Sequence, residues 1–189
     1  MKSDVILCGV GGQGTILASR LLAAAAMERG LPVKTAETIG MAQRGGSVVS
    51  HVRIGEQASS PLIGRHRADL IMGFEPAEAL RQLGYLREGG TVVVSNRPIV
   101  PVSAAVGGPA YDVDAILDYL KNSVRNLVTV DAEAAARDLG SAKCLNVVLL
   151  GAAVRSGAIG FAVEEMQEAV SKLVPERFLE LNRRALLYA

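Results

Sequence analysis

Residues 4–8 (DVILC) form an apolar run of strand length that leads into Gly9, Gly11 and Gly14. Residues 15–29 then have helical composition, with Ile16, Leu17, Leu21, Leu22 and alanines at 23–26. A chain passes from strand to helix this abruptly only where the backbone turns tightly, and glycines supply that freedom. Gly30 stops the helix, Pro32 follows, and residues 33–37 read as a second strand. The order strand, glycine turn, helix, strand is a βαβ unit with an expected right-handed crossover.

The alternation continues. In residues 47–54, Val48, Ser50, Val52 and Ile54 fall on one face and His51 and Arg53 on the other, a strand with one polar face. Residues 68–74 read as a buried strand, followed by a helix from Pro76 to about Leu83 and a strand at 91–95. Residues 100–111 look like a surface excursion, and 112–121 a helix. Residues 127–131 read as a strand, and Asp131 caps a helix that runs through Leu139 and ends at Gly140. Residues 145–154 are so apolar that a helix there must be buried or covered by another subunit. Val163, Met166, Val170 and Leu173 share one helical face, and Pro175 opens a last helix carrying Phe178, Leu181 and Ala185. The expected fold is α/β: a three-layer, Rossmann-like, mostly parallel sheet with helices on both faces and a helical C-terminal segment. Residues 1–189 are expected to form a single domain.

Composition removes several classes of function. Twenty Lys+Arg face nineteen Asp+Glu, too balanced for nucleic acid as the main partner. The longest unbroken apolar run, residues 21–27, is far short of the ~18–20 residues that span a membrane. No signal peptide is expected before the first strand, and the expected location is cytoplasmic. Cys8 and Cys144 are too few for a disulfide framework or a four-thiolate cluster, and His51 and His66 give no zinc spacing. Metal or redox chemistry would come from a bound cofactor or another chain.

Gly9, Gly11 and Gly14 make G-x-G-x-x-G in a strand–turn–helix context, where backbone N–H groups and the helix dipole favour an anion. Gly12, Gln13 and Thr15 complete this candidate cofactor-binding loop. Glu37, at the end of the second strand, sits where dinucleotide-binding folds carry a ribose-binding acid. A P-loop is disfavoured because Thr15 stands where its Lys is required. The competing reading is a glycine turn that only lets helix and strand pack closely. No side chain is assigned a catalytic role. His51 has the chemistry of a general acid but no evident partner, Cys8 reads as a small buried hydrophobe, and His66 as a solvated loop residue. A stand-alone NAD(P) oxidoreductase stays open as an alternative, as does a non-catalytic oligomeric binding module. Little of the chain is left for a substrate domain.

Between the second and third strands lies Gly40-Met41-Ala42-Gln43-Arg44-Gly45-Gly46-Ser47. In an open parallel sheet this loop shares the ligand-binding edge with the first. Met41, Gln43, Arg44, Gly45, Gly46 and Ser47 are therefore candidates for substrate or partner contact. Arg44 offers a planar fork of donors, and Gly45 and Gly46 a nest-like turn.

These two loops, with His51-Val52-Arg53-Ile54-Gly55, Ser60-Pro61-Leu62-Ile63, Ala68-Asp69, Phe74-Glu75-Pro76-Ala77-Glu78-Ala79-Leu80, residues 146–151 (NVVLLG) and Glu180-Leu181-Asn182, resemble the gamma subunit or domain of 2-oxoacid:ferredoxin oxidoreductases. The likeness is strongest to the small, beta subunit of the indolepyruvate enzymes and covers nearly the whole chain. Ile39 stands where those subunits have a histidine-like residue, which leaves the particular 2-oxoacid open. The resemblance implies an accessory subunit, inactive alone, of a complex that oxidatively decarboxylates a 2-oxoacid such as pyruvate to an acyl-CoA and CO2. It implies that thiamine diphosphate, magnesium and iron–sulfur clusters are held by partner subunits. It further implies a thiamine-diphosphate catalytic subunit as direct partner, ferredoxin as partner of the complex, and coenzyme A as cosubstrate.

Overall fold

The computed structural model describes residues 1–38, 45–55, 60–100 and 110–188. Six strands form one sheet: β1 (Ser3–Val10), β2 (Val33–Thr38), β3 (Ser47–Ile54), β4 (Ala68–Gly73), β5 (Leu86–Ser95) and β6 (Asn126–Val130), in the order β2-β3-β1-β4-β5-β6. β1, β4, β5 and β6 pair in parallel, while β3 runs antiparallel to both β1 and β2. Among the described residues seven helices accompany the sheet: α1 (Thr15–Glu28), α2 (Pro76–Gln82), α3 (Val113–Ser123), α4 (Ala132–Leu139), α5 (Leu145–Arg155), α6 (Val163–Leu173) and α7 (Leu179–Leu187).

The period-2 alternation of β1 feeds two cores. Val5 and Leu7 face one layer, with Leu21, Leu22 and Ala25 of α1, Val147 and Leu150 of α5, Met166 of α6 and Leu186 of α7. Ile6 and Cys8 face the other, with Ala79 of α2 and Leu120 and Val124 beside α3. Helices thus cover both faces, as expected for a mostly parallel sheet.

The βαβ expectation needs one correction. β1 and β2 point the same way but are not neighbours, because β3 lies between them. β3 follows β2 through the short connection at 39–46, so it can return antiparallel and pair on both sides, over eight residues with β1 and six with β2. β3 is paired on both sides, and the face that carries Val49, His51 and Arg53 is only partly open, because Ile63 and Tyr85 lie over His51. His51 is accordingly buried, not on a polar surface.

Smaller differences follow the backbone. β5 starts at Leu86, earlier than its apolar run, since Gly89 in the left-handed region and Gly90 carry the strand's entry. Pro175 begins a short 3-10 turn rather than the last helix, which starts at Leu179 and leaves Phe178 exposed. Leu173 is also exposed, at the end of α6. The helix signals at 131–140 are met: Asp131 Oδ1 accepts from the N–H groups of Glu133 and Ala134, and Gly140 closes α4 at φ +73°. No helix among the described residues is long and apolar enough to cross a membrane.

Candidate functional site

The first glycine loop and the described end of the second, Gly45–Ser47, lie at the C-terminal edge of the parallel strands. The Gly11 N–H donates to Gly46 O at 2.9 Å, so the end of the second loop is tied to the first. Met41, Gln43 and Arg44 lie outside the described residues; Gly45, Gly46 and Ser47 lie within them.

The side chain of Gln13 organises the first loop. Its Oε1 accepts from the Val10 N–H at 2.7 Å, and its Nε2 donates to Phe74 O at 2.8 Å. One amide therefore joins the end of β1 to the residue after β4, just beyond their last backbone bond, which the Phe74 N–H donates to Cys8 O at 2.8 Å. The glycines fit this arrangement. A Cβ on Gly9 would sit 2.6 Å from Gln13 Oε1 and 2.8 Å from Phe74 Cβ. Gly14, the N-cap of α1, has φ +83°, and a Cβ there would lie 2.5 Å from Asn146 Nδ2. Asn146, at the start of α5, donates that amide to Gly14 O at 3.3 Å. Gly9 and Gly14 thus make room for the chain's own Gln13, Phe74 and Asn146, which is the packing reading of the motif. Gly12 (φ +102°) is exposed with open space around its Cα, and α1 begins without a side-chain cap. Those are the parts of the loop left to meet something else.

A second group was not assigned a role from sequence. Glu75 and Glu78 follow β4 and are almost fully buried. Glu75 caps α2, its Oε2 accepting from the Glu78 N–H at 3.0 Å, while its Oε1 accepts from the Tyr111 hydroxyl and, at 3.4 Å, from the Ile99 N–H. Glu78 Oε2 accepts from Ser47 Oγ at 2.6 Å, and its Oε1 pairs with Arg81. Three segments of the C-terminal edge therefore hang on Phe74, Glu75 and Glu78: the first loop through Gln13, the second through Ser47, and the excursion after β5 through Ile99 and Tyr111. Burial, then the hydrogen bond to Glu75, raises the Tyr111 phenol above its ordinary range. The signal in the sequence is Glu75 directly before a helix-opening Pro76 with another acid three residues on, a carboxylate form of the N-terminal capping pattern.

The other candidates are structural. Burial first, then the carboxylates of Glu78 and Glu75, push the Cys8 thiol well up, so it stays protonated and is poorly suited to nucleophilic attack or metal ligation. His51 Nδ1 accepts from the Ile63 N–H at 3.2 Å, and burial, helped by Arg53, lowers its pKa. A neutral imidazole that binds the backbone is not placed as a general acid. His66 is exposed at φ +57° on the opposite edge. Glu37 accepts from Ser19 Oγ at 3.2 Å, and because β3 intervenes it lies one strand spacing, about 4.8 Å, farther from the glycine loop than in an adjacent β1–β2 pair. That displacement removes the geometric basis for a ribose-binding role. No group of three or more His, Cys, Asp or Glu among the described residues could hold a metal ion.

Comparison with known proteins gives one consistent result. A family model described as pyruvate ferredoxin/flavodoxin oxidoreductase matches residues 4–189. An indolepyruvate oxidoreductase subunit IorB from Archaeoglobus fulgidus is 39% identical over 187 residues, covering 98% of this chain and 92% of that one. The common gamma subunit of the pyruvate/ketoisovalerate oxidoreductases of Thermococcus kodakarensis is 25% identical over 179 residues, covering 94% and 89%. Among solved structures, the gamma subunit of a keto/oxoacid ferredoxin oxidoreductase from Geobacter sulfurreducens superposes with a TM-score of 0.68 at 26% identity, covering 98% of this chain and 94% of that one.

Proposed function

Since the chain belongs to the pyruvate ferredoxin/flavodoxin oxidoreductase family, we propose that it is a single-domain accessory subunit whose glycine-loop edge faces the catalytic subunit. It is a small subunit of the 2-oxoacid ferredoxin oxidoreductase type, like the indolepyruvate and pyruvate/ketoisovalerate subunits it resembles. Those complexes oxidise a 2-oxoacid, with release of CO2 and formation of an acyl-CoA. Thiamine diphosphate, with its magnesium ion, supplies the carbanion chemistry when bound, and iron–sulfur clusters carry electrons toward ferredoxin. The described side chains of this subunit do not fit those groups. Cys8 and Cys144 are both buried and lie in separate elements, and no described acidic or histidine cluster suits a metal. The cofactors are therefore assigned to partner subunits in this reading, and the chain's own work is positioning.

The observation that carries the reading is the Gly11–Gly46 hydrogen bond, which joins two glycine-rich loops on the edge where open α/β sheets bind ligands. Gln13, Glu75 and Glu78 hold the described parts of that edge from below. Exposed Gly12 and the uncapped start of α1 at half-buried Gly14 suit a phosphate of coenzyme A or an acidic group of the neighbouring subunit, whereas Thr15 is buried and offers its side chain to neither. In this proposal Met41, Gln43, Arg44 and Gly45 complete the surface, with Arg44 supplying the charge. The test is Arg44→Ala in the assembled complex. The reading expects normal assembly with a raised KM for coenzyme A or for the 2-oxoacid. Unchanged kinetics in a normally assembled complex refute a binding role for the second loop.

A further inference from the structure

β6 (Asn126–Val130) closes one side of the sheet. Its outer flank meets no backbone partner among the described residues. Exposed edges are normally blunted by charge, proline or a bulge. The opposite edge strand, β2, carries Lys34 and Glu37. β6 reads Asn-Leu-Val-Thr-Val, without charge or proline, and pairs with β5 in unbroken register. Beside it, between the strand and α5, opens a groove of about 460 Å³ whose walls include Val128, Val130, Val148 and Ala152.

The direction of the main-chain groups is fixed by one bond. The Asn96 N–H donates to Val130 O at 3.0 Å, so Val130 turns its polar groups toward β5. Because strands alternate, Asn126 and Val128 do the same, and Leu127 and Thr129 point theirs outward. We propose that β6 is a self-pairing edge, on which a second copy of this chain adds antiparallel about a two-fold axis at Val128. In that register Leu127 of each copy faces Thr129 of the other, and each such couple exchanges a pair of N–H···O bonds. Val128 meets its own copy across the closely spaced position between them, beside the groove, whose remaining wall includes Asp131, Arg155 and Tyr188. Arg125 falls opposite Asp131 at both ends. Both are exposed, and Arg125 has no ion pair among the described residues. Sliding the copies by two residues loses both charge pairs. This self-complementarity selects a second copy over an unrelated strand, since a two-fold interface must match itself. A five-residue edge alone falls short of the roughly 1,200 Å² of a stable interface. The pairing is therefore concentration-dependent in the isolated chain and reinforced where a complex brings two copies together.

The test uses the full chain, alone and in its assembled complex. Sedimentation of the isolated chain at rising concentration should show mass moving from the 19.8 kDa monomer toward twice that value. Thr129→Pro removes an outward N–H that β5 does not use, so it should keep the fold by circular dichroism and abolish association. Arg125→Glu sets a carboxylate against Asp131 and should weaken association about tenfold or more. Val128→Cys should form a disulfide between two copies under mild oxidation, because facing residues at that position lie about 4.5 Å apart at Cα. A Val128→Cys chain that never links to its own copy, alone or in the complex, overturns the proposal. So does a link made only to a different subunit, or a dimer indifferent to both Thr129→Pro and Arg125→Glu.

Discussion

Replacing Gln13 by alanine tests whether the first glycine loop is held from inside. The side chain makes two bonds, at 2.7 Å to the Val10 N–H and 2.8 Å to Phe74 O. Val10 is 7% exposed, so its N–H would lose a partner in a place water reaches poorly. Leaving a buried donor unmet costs about 1–3 kcal/mol, and losing the bond to the Phe74 carbonyl adds about 0.5–1.5 kcal/mol. Gln13→Ala should therefore destabilise the chain by roughly 2–4 kcal/mol, a fall in Tm of about 5–15 °C for a domain of this size. Urea and thermal unfolding followed by circular dichroism measure it. Gln13→Glu sharpens the test. Ionised, the new carboxylate still accepts from Val10 but repels the Phe74 carbonyl; protonated, it regains a donor. Its pKa should thus be raised in the folded state. The stabilising contribution is present below the unfolded value near 4.3 and is lost as pH rises through the folded value. A loss under about 0.5 kcal/mol for Gln13→Ala, or a Gln13→Glu variant indifferent to pH, would refute the brace.

Other substitutions probe the packing of the sheet and helices away from the glycine loops. Arg53 is bidentate to Asp4, whose side chain is 3% exposed; Arg53→Ala leaves that carboxylate uncompensated and should cost about 3–5 kcal/mol in denaturant unfolding, whereas Arg53→Lys should restore part. A Cβ on Gly151 would lie 2.1 Å from Leu186 O, backbone that cannot yield cheaply, so Gly151→Ala should lower stability by about 1–3 kcal/mol through separation of α5 from α7. The depressed pKa of His51 means that folding favours its neutral form. Its contribution is full above the unfolded value near 6.5 and falls away as pH drops through the folded value, with a slope of at most about 1.4 kcal/mol per pH unit. His51→Asn, which can still accept from Ile63, should remove that part of the acid sensitivity when unfolding is compared at pH 7 and pH 5.

Much of the fold is legible because local signals agree. The glycine stop at Gly30 and the cap and stop at Asp131 and Gly140 each mark a real boundary, whereas the first strand runs past its apolar residues, through Gly9 to Val10. Periodicity does not reveal that β3 slips between β1 and β2, because pairing partners are a property of the whole sheet. The same limit misplaces Glu37: its distance from the glycine loop depends on how many strands intervene. The glycine motif opens the turn at the C-terminal edge, yet two of its glycines answer to Gln13, Phe74 and Asn146, and the last two of these lie far along the chain from the glycines they meet. Glu75 and Glu78 look like ordinary charges in sequence. Only tertiary structure shows that their carboxylates are buried and tie three segments together.

In the function proposed above, this chain serves a 2-oxoacid-oxidising complex and does not act alone. The most direct measurement is coenzyme A-dependent reduction of a low-potential dye by the purified partner subunit, with and without this chain, across a panel of 2-oxoacids. Full activity with at least one 2-oxoacid should require adding the chain, and the chain alone should have none. A partner equally active without it, or an isolated chain that oxidises substrate by itself, would rule out an accessory role.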